Sequence, residues 1–394
     1  MPDWFEKKTF GSLPDEAARR WGDREALCHE GQRWSFTQFQ QEVDRTAKGL
    51  ISLGVQPGDK VSLWVTNRPE WLFCFFAVAK IGAVTVPVNT RFRTDDLEYV
   101  VRQSDSTTLI IVDRSGPVDY LEMVRQLCPE IESGNPNDLR PQKFPELLRV
   151  LVLGESQYPG TRNWDEVMRD AGSVSDDDLE RRQQQVDPDG TAMIMYTSGT
   201  TGFPKGVMHC HNIRRQVGDI ASRMGITPRD VSLTYLPLFH VFGLVGGTLL
   251  FLESGARMVL TTVFDPQEVL RLIQQEKATL IYGFDTHANA LLGHPDIATT
   301  DLSSLRTGIL AAGMASSEPT ARQAQQLLCP TVSLWGMTEV GGAGALGFLD
   351  SPVDDRCLTS GFPLPGLEYK VINPEIGETV PRAPKASCVC EATA

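Results

Sequence analysis

Short apolar runs rich in β-branched residues alternate along the chain with stretches whose apolar positions recur every three to four residues. The first pattern predicts buried strands, and the second predicts amphipathic helices. The predicted strands are residues 60–65, 107–112, 149–153, 192–195, 257–260, 279–282 and 331–335, and the clearest predicted helices are 36–53, 213–224 and 266–276. Alternation of this kind is typical of an α/β fold with mostly parallel sheets.

The same pattern divides the chain into parts. Residues 1–355 are predicted to form one large α/β domain with two subdomains, and the polar stretch 172–190 is expected to be an exposed linker within it. From residue 356 the pattern changes, because a Gly/Pro turn at 361–366 precedes the alternating stretch LEYKVIN. Residues 356–381 are therefore predicted to begin a small antiparallel β subdomain. The tail at 382–394 fits neither pattern.

Composition narrows the class of protein. The 394 residues are 41% hydrophobic and 22% charged, which is typical of a globular protein. A formal net charge of −13 disfavours a nucleic-acid partner, since contacts with phosphates need a basic surface. We find neither a secretory signal at the start nor a run of roughly 18 apolar residues that could span a membrane. We therefore expect a cytoplasmic protein with no stable membrane insertion.

The eight cysteines are scattered along the chain. Only Cys388 and Cys390 stand close together, and such a pair without further cysteines or clustered histidines is weak support for a metal site. The other six are predicted to be reduced thiols in a reducing cytosol.

The stretch YTSGTTGFPKGV at 196–207 carries the strongest candidate chemistry. A predicted strand precedes it and we expect a helix from Val207 onward, so it is interpreted as a strand-loop-helix element. Its glycines let backbone N–H groups approach an anion, its hydroxyl side chains supply donors, and Lys205 supplies a positive charge. The stretch therefore predicts a polyphosphate-binding loop. In P-loop NTPases Lys follows Gly and precedes Ser or Thr, whereas here Pro204 and Gly206 flank Lys205.

Several stretches in the same order resemble the adenylate-forming, or AMP-binding, superfamily of acyl-CoA synthetases, nonribosomal adenylation domains and luciferases. GVQPGDKVSLWVTNRPEW precedes the glycine-rich loop, and LPLFHVFG at 236–243, WGMTE at 335–339 and GFPLPGLEYKVIN at 361–373 follow it. The resemblance covers residues 36–380. It implies an α/β fold whose large amino-terminal domain has two doubly wound, mostly parallel sheets with helices, followed by the start of a small β-barrel subdomain.

The resemblance also implies roles for individual residues. The implied catalytic residues are Lys205, His240, Thr338 and Glu339. The implied nucleotide-binding residues are Thr197, Ser198, Gly199, Thr200, Thr201, Gly202, Lys205, Gly313, Met314, Trp335, Gly336 and Thr338. The implied acyl pocket contains His240, Val241, Gly243 and Gly313, and the implied Mg²⁺ ligands are Glu339 and Thr200. Trp335 stands where the family more often has Tyr, so the stacking face is kept and the phenolic oxygen is lost.

By the same resemblance, the protein is an acid-CoA ligase whose substrates are a carboxylic acid, ATP and CoA, with Mg²⁺ as cofactor. The carboxylate attacks the α-phosphate of ATP to give acyl-AMP and pyrophosphate, and the CoA thiol then displaces AMP to form a thioester. The stretches LPLFHVFG and LRTGIL favour a medium-chain, fatty or cyclic acid. The alternative hypothesis is a protein that binds a nucleotide or an acyl-adenylate without complete turnover. A homodimer is left open.

Two stretches depart from the family pattern. ILAAGMASSEP at 309–319 stands where a glycine-rich segment lines the adenine and acyl pocket, and it supplies Gly313 and Met314. YGFDTHANALL at 282–292 introduces Asp285 and His287 into a usually apolar segment. These two residues are interpreted either as polar pocket residues or as tolerated surface substitutions, and the sequence does not rank the two.

The resemblance further implies a carboxy-terminal lid domain with a lysine that contacts the reacting groups. Neither is found in the sequence, so we expect impaired activity. The tail RAPKASCVCEATA can be encoded by codons that spell GELCVRGY in another frame, and family members typically carry that stretch just after the position of Val380. We therefore hypothesise a frameshift near Arg382, which would leave Cys388 and Cys390 with no metal role. Sequencing the gene tests this, since an intact downstream frame with a lysine-bearing domain supports the hypothesis and its absence contradicts it.

Overall fold

The alternating pattern folds into two large, mostly parallel β-sheets with helices packed on them. The computed structural model describes residues 6–154, 156–197, 203–311, 315–373, 375–376, 378–379 and 387–392. The strands are β1 (Glu25–His29), β2 (Gln32–Ser35), β3 (Lys60–Trp64), β4 (Val84–Pro87), β5 (Ser106–Val112), β6 (Arg114–Ser115), β7 (Val118–Asp119), β8 (Arg149–Leu153), β9 (Arg162–Asn163), β10 (Thr191–Thr197), β11 (Lys205–Cys210), β12 (Val231–Thr234), β13 (Arg257–Leu260), β14 (Leu280–Phe284), β15 (Thr307–Ala311), β16 (Thr331–Trp335), β17 (Ala345–Leu346), β18 (Phe362–Pro363), β19 (Leu367–Ile372) and β20 (Ser387–Ala392).

The helices lie between these strands in chain order. The α-helices are α1 (Leu13–Trp21), α2 (Phe36–Ser52), α3 (Pro69–Lys80), α4 (Thr94–Gln103), α5 (Tyr120–Leu127), α6 (Trp164–Asp170), α7 (Asp176–Gln184), α8 (Arg214–Arg223), α9 (Leu250–Ser254), α10 (Pro266–Glu276), α11 (Asp285–Leu292), α12 (Glu318–Leu327) and α13 (Val353–Leu358). Short 3₁₀ turns occupy Phe10–Ser12, Pro129–Glu132, Ala171–Ser173, His211–Ile213, Pro295–Ala298, Ala315–Ser317 and Thr338–Val340, and a π-helix occupies Phe242–Leu249.

The smaller sheet has seven strands in the order β11-β10-β4-β3-β5-β8-β9. All neighbouring pairs are parallel except β10 and β11, which form an antiparallel pair at one edge. The larger sheet has nine strands in the order β18-β17-β16-β15-β14-β12-β13-β1-β2, with a parallel centre and antiparallel strands at both ends. The predicted α/β fold with two mostly parallel sheets is therefore confirmed.

Helix α3 is apolar on all sides and buried along nearly its whole length. Such a helix lacks an amphipathic period, which is why the pattern of the sequence did not predict it. At its end, Lys80 is 2% exposed and pairs with Asp15 at 2.7 Å and with Asp44. Because a buried ammonium group needs anionic partners, these ion pairs fix the helix to α1 and α2.

The predicted elements match the observed ones within a few residues, with one clear error. The helix expected from Val207 onward is wrong, because residues 205–210 form strand β11, which pairs with β10 from Thr197↔Lys205 to Thr191↔Cys210. The strand-loop-helix interpretation is thus corrected to two antiparallel strands flanking the loop. The reason is that β10 offers an open edge to this short segment, and edge pairing overrides its weak helical pattern.

The structure also describes parts of two segments that the sequence pattern set apart, 172–190 and 356–381. Residues 172–190 include helix α7, in which only Leu179 is buried. Beyond residue 356, β19 pairs with β20 in an antiparallel, two-stranded sheet with Leu367 opposite Ala392. No helix in the described part of the chain combines the length and apolarity that crossing a bilayer requires.

His211 links the amino-terminal segment to the smaller sheet. The side chain is 2% exposed, its Nδ1 accepts the Phe10 N–H at 3.0 Å, and its ring packs edge-on against the Phe10 ring. Burial lowers the pKa of His211 from 6.5 to about 4. Protonation would also place a second donor against the Phe10 N–H, so the neutral form is required for this contact.

Acidification is expected to destabilise the fold through His211. Because its pKa is lower in the folded state, the unfolded state binds more protons between pH 6.5 and about 4, and the free energy of unfolding falls as the pH falls through that window. From pH 7 to pH 5 the loss should be about 2 kcal/mol. Urea unfolding of the wild type and of His211→Asn at pH 7 and pH 5 measures this loss in the free energy of unfolding. His294→Asn, at a histidine outside this contact, serves as the control for the substitution itself. Equal pH dependence in His211→Asn and wild type would contradict the assignment.

Candidate active site

The hairpin of β10 and β11 carries the predicted phosphate-binding residues. Thr197 pairs with Lys205, and its hydroxyl donates to the Lys205 carbonyl at 3.5 Å. Ser198, Gly199, Thr200, Thr201 and Gly202 lie outside the described residues. Beyond them, the Phe203 ring stacks on Tyr99 of α4 at 5.0 Å between centroids. The strand ends that flank the predicted loop are therefore fixed to the sheet and to α4.

His209 is a site residue that the sequence reasoning missed. Residues two apart along a strand share a face, so Lys205, Val207 and His209 lie on one side of β11. The His209 side chain is 7% exposed, and β11 packs there against the turn Thr338–Val340. Burial lowers the pKa of His209, while the Thr338 backbone and the Glu339 carboxylate oppose that shift. If the segment is interpreted as a strand, its two-residue period places His209 on the same face as Lys205 and so indicates it as a site residue.

The stretch WGMTE forms the end of β16 and the tight turn after it. Gly336 lies directly against the chain at Gly342, since a Cβ on Gly336 would sit 1.5 Å from the Gly342 oxygen. Gly341 closes the turn with a φ of 78°, which favours glycine, and its N–H donates to the Thr338 carbonyl at 2.9 Å. From α8, the Gln216 amide donates to the Val340 carbonyl at 2.9 Å. Thr338 and Glu339 thus sit on a backbone that is held from two sides.

Trp335 lies at the end of β16 with its ring partly exposed. Its ring packs edge-on against Tyr369 of β19 at 5.6 Å between centroids. Gly344 leaves room for both side chains, because a Cβ there would lie 2.4 Å from a ring carbon of Trp335 and 2.4 Å from the Tyr369 hydroxyl oxygen. The Trp335 ring is therefore held on one side by Tyr369 of β19.

His240 lies on the loop that leads from β12 into the π-helix. Asn67, which is 5% exposed, holds this loop: its amide donates to the carbonyls of Leu236 and Thr261 at 3.0 and 3.2 Å and accepts the Leu238 N–H at 2.9 Å. Asn67 lies in the stretch GVQPGDKVSLWVTNRPEW, but the sequence indicated no role for it. Because Asn67 follows β3 of the smaller sheet, it ties the loop of one sheet to the other.

The protonation state of His240 follows from its surroundings. Its Nδ1 accepts the Phe242 N–H at 3.3 Å, so the ring proton of the neutral form resides on Nε2. The residue is accessible to solvent but surrounded by protein on most sides, and this incomplete hydration lowers the pKa of His240. At neutral pH the side chain is therefore a neutral donor. A π-helix begins two residues after His240. π-helices are rare in proteins, and those that occur are frequently found at functional sites.

The structure brings three of these segments together. A Cβ on Gly342 would lie 3.0 Å from the Val241 side chain, so the start of the π-helix touches the turn after β16, and β11 packs on the same turn. Gly243 is buried, with its Cα facing the carbonyls of Leu236 and Pro237. Gly313 and Met314 lie outside the described residues. The acyl-pocket assignments of Val241, Gly243 and Gly313 stay predictions.

Two opposite charges at this site have no ion-pair partner within the described ranges. Lys205 and Glu339 are both exposed. An exposed carboxylate without a neighbouring cation fits a hard divalent cation such as Mg²⁺. By contrast, the cluster of Glu25, Cys28 and Glu276 is already neutralised, since Arg33 and Arg257 each pair with both carboxylates at 2.6–2.9 Å. The Glu339 turn is therefore the better candidate for Mg²⁺.

Gly336→Ala is expected to distort the turn that carries Thr338 and Glu339. The added methyl group would overlap the Gly342 oxygen, and overpacking of this kind costs about 1–3 kcal/mol. Gly218→Ala is the matched control, because a Cβ there meets nothing within 4 Å and alanine favours helix α8. Urea unfolding should show a loss of stability for the first variant and none for the second. Equal stability of both variants would contradict the close approach.

The chain is similar in sequence to known proteins. Residues 14–387 match the family model described as AMP-binding enzyme, so the chain belongs to that family of adenylate-forming proteins. YngI of Bacillus subtilis (strain 168), whose name assigns it to the acyl-CoA synthetases, is 36% identical over 378 residues, covering 95% of this chain and 69% of YngI. The mitochondrial medium-chain acyl-CoA ligase ACSF2 of Danio rerio is 33% identical over 385 residues, covering 96% of this chain and 63% of that protein. The chain thus spans about two thirds of these relatives.

Solved structures show the same fold. An anthranilate CoA ligase, AuaEII, in complex with anthranoyl-AMP superposes with a TM-score of 0.86 at 24% identity, over 99% of this chain and 71% of the ligase. The N-terminal domain of FACL13 from Mycobacterium tuberculosis superposes with a TM-score of 0.76 at 23% identity, over 95% of this chain and 86% of that domain. The chain therefore has the fold of the large domain of acyl- and aryl-CoA ligases.

Proposed function

We propose that the protein activates a carboxylic acid by adenylation with ATP and passes the acyl group to CoA, as an AMP-forming acid-CoA ligase. The observation that carries the proposal is the meeting of β11, the start of the π-helix and the turn after β16. Lys205 lies on β11, His240 on the loop just before the π-helix, and Glu339 in the turn after β16. A cation, a neutral donor and a free carboxylate on segments that contact one another suit the encounter of a carboxylate with a polyphosphate.

Each of these residues has a defined role in the proposal. The Nε2–H of His240 donates to the substrate carboxylate and orients it, while a neutral imidazole leaves that carboxylate nucleophilic. Lys205 stabilises the negative charge that grows on the departing pyrophosphate, and Thr338 donates to the α-phosphate. Mg²⁺, held by Glu339 when bound, neutralises phosphate charge. Trp335 supports the adenine by stacking.

The substrate and the compartment are also proposals. Medium-chain acids are favoured because the ACSF2 relatives are named medium-chain acyl-CoA ligases. Family members of this kind use ATP, Mg²⁺ and CoA, and the second half-reaction would attach the acyl group to the CoA thiol with release of AMP. The six cysteines whose side chains are described are free, which suits the cytoplasm.

A substrate panel tests the proposal. The 394-residue chain is incubated with Mg-ATP and carboxylic acids of increasing chain length, with and without CoA, and pyrophosphate and thioester are measured. Acid-dependent pyrophosphate release, highest with medium-chain acids, is expected. Pyrophosphate without thioester would restrict the function to adenylation, and nucleotide binding with neither product would favour the alternative of a binding protein.

A further inference from the structure

Asp285 and His287, the two residues of helix α11 that depart from the family pattern, have different surroundings in the structure. The Asp285 carboxylate accepts the hydroxyl of Ser317 at 2.7 Å and the Thr286 N–H at 2.8 Å. Ser317 is 2% exposed, so this hydrogen bond directs Asp285 toward the core between α11 and α12. The hydrogen bond to Ser317 gives Asp285 a structural role. The role of His287 is not accounted for in this way.

His287 is a half-buried histidine with one nitrogen in use. Its Nδ1 accepts the Phe284 N–H at 3.2 Å at the start of α11, so the proton of the neutral ring resides on Nε2. No acceptor for that proton is present among the described residues. Burial lowers the pKa of His287, which keeps the ring neutral near pH 7. The result is a single fixed donor for which the described residues supply no acceptor.

Aromatic rings surround this donor. The His287 ring lies 4.6 Å from Phe264, 5.6 Å from Tyr235 and 5.8 Å from Phe284, measured between ring centroids. Phe284 in turn contacts Phe242 at 5.5 Å. Phe242 is the residue whose N–H fixes His240, so the aromatic cluster runs without a break from His287 to the proposed carboxylate-binding histidine.

The cluster is open toward solvent on one side. Phe284 is 36% exposed and Phe264 is partly exposed, whereas Phe242 and Tyr235 are buried. An apolar group that binds at this exposed face would therefore contact aromatic rings and the Nε2–H of His287. A polar group placed among apolar ones can fix the orientation of a ligand.

We propose that His287 determines substrate specificity by selecting carboxylic acids whose apolar body carries a hydrogen-bond acceptor, such as an oxo group, over unsubstituted alkanoic acids. The inference rests on the proposed function, since it assumes that the acid is held by His240 at the other end of the aromatic cluster. An unsubstituted chain would displace water from His287 and leave its N–H unpaired, whereas an oxo group would restore the hydrogen bond.

The structure has room for a water molecule that would compete with the substrate for the His287 proton. A void of about 10 Å³ borders His287, Tyr235 and Tyr282, and this is room for one water molecule. If a water there accepts the His287 proton permanently, the side chain gives no preference between substituted and unsubstituted acids.

The test compares octanoate with the set of mono-oxo-octanoates, using kcat/KM for acid-dependent pyrophosphate release by the whole chain. In the wild type, at least one oxo-octanoate should exceed octanoate by about tenfold, the worth of one hydrogen bond to a fixed donor. His287→Phe, which keeps an aromatic ring and removes the donor, should abolish that ratio while retaining activity on octanoate. His287→Gln should restore part of it, and Asp285→Asn should leave it unchanged.

The outcomes separate the inference from the proposed function. If octanoate and its oxo derivatives react at equal rates, or if His287→Phe keeps the wild-type ratio, the inference is wrong and the ligase function stands. If no acid gives pyrophosphate, the proposed function fails and the inference fails with it. A change in the absolute rate of His287→Phe with an unchanged ratio would indicate a structural role and would also overturn the inference.

Discussion

Replacing Lys205 with alanine is expected to lower the rate of acid-dependent pyrophosphate release about a hundredfold, because removing one donor to the developing charge typically costs two to three orders of magnitude. Lys205 is exposed at the edge of the smaller sheet and has no ion-pair partner in the described part of the chain. Its removal should therefore leave the fold intact. Lys205→Arg should retain part of the activity, since it keeps the positive charge.

The matched control is Lys143→Ala. Lys143 is also exposed and forms an ion pair with Glu98 at 2.7 Å, and it lies outside the segments that carry Lys205, His240 and Glu339. Both alanine variants should unfold at the urea concentration of the wild type, and only Lys205→Ala should lose activity. Equal rates for the two variants would exclude Lys205 from the phosphate site.

Glu339→Gln is expected to produce a loss of similar size with a different signature. The amide keeps the shape of the side chain and removes the charge that would hold Mg²⁺. The Mg²⁺ concentration for half-maximal activity should rise at least about tenfold, and the rate at saturating ATP should fall about a hundredfold. The measurement is a titration of pyrophosphate release with Mg²⁺ at fixed ATP.

Glu368→Gln serves as the control for this charge. Glu368 is an exposed glutamate on β19, outside the turn after β16. It should keep the wild-type Mg²⁺ dependence. If Glu339→Gln shows the wild-type dependence as well, the metal is held elsewhere.

Much of the fold could be predicted because the buried strands of parallel sheets are continuous apolar runs. Residues 149–153 and 257–260 are such runs, and both are strands in the structure. Helix α3 could not be predicted in this way, because a helix buried on every side has no polar face. Strand β11 was missed because its conformation depends on the open edge of β10, which is a tertiary property.

The site was predictable only as separate motifs. Lys205, His240 and Glu339 each stand in a recognisable stretch, but the contacts between the segments that carry them depend on how two sheets are joined. Asn67 and His209 contribute to that junction, and the resemblance assigned a role to neither of them. Hydrogen bonds from Asn67 to backbone atoms far along the chain follow from the packed structure and leave no pattern in the sequence.

The most direct test of carboxylate activation at this site is a single-turnover reaction of the chain, in excess, with Mg-ATP and octanoate labelled with ¹⁸O in both carboxylate oxygens. Mass spectrometry then follows the label. Attack of the carboxylate on the α-phosphate predicts octanoyl-AMP, and the AMP released from it should carry one ¹⁸O atom. Unlabelled AMP, label in octanoyl phosphate with formation of ADP, or no reaction at all would contradict carboxylate adenylation by this protein.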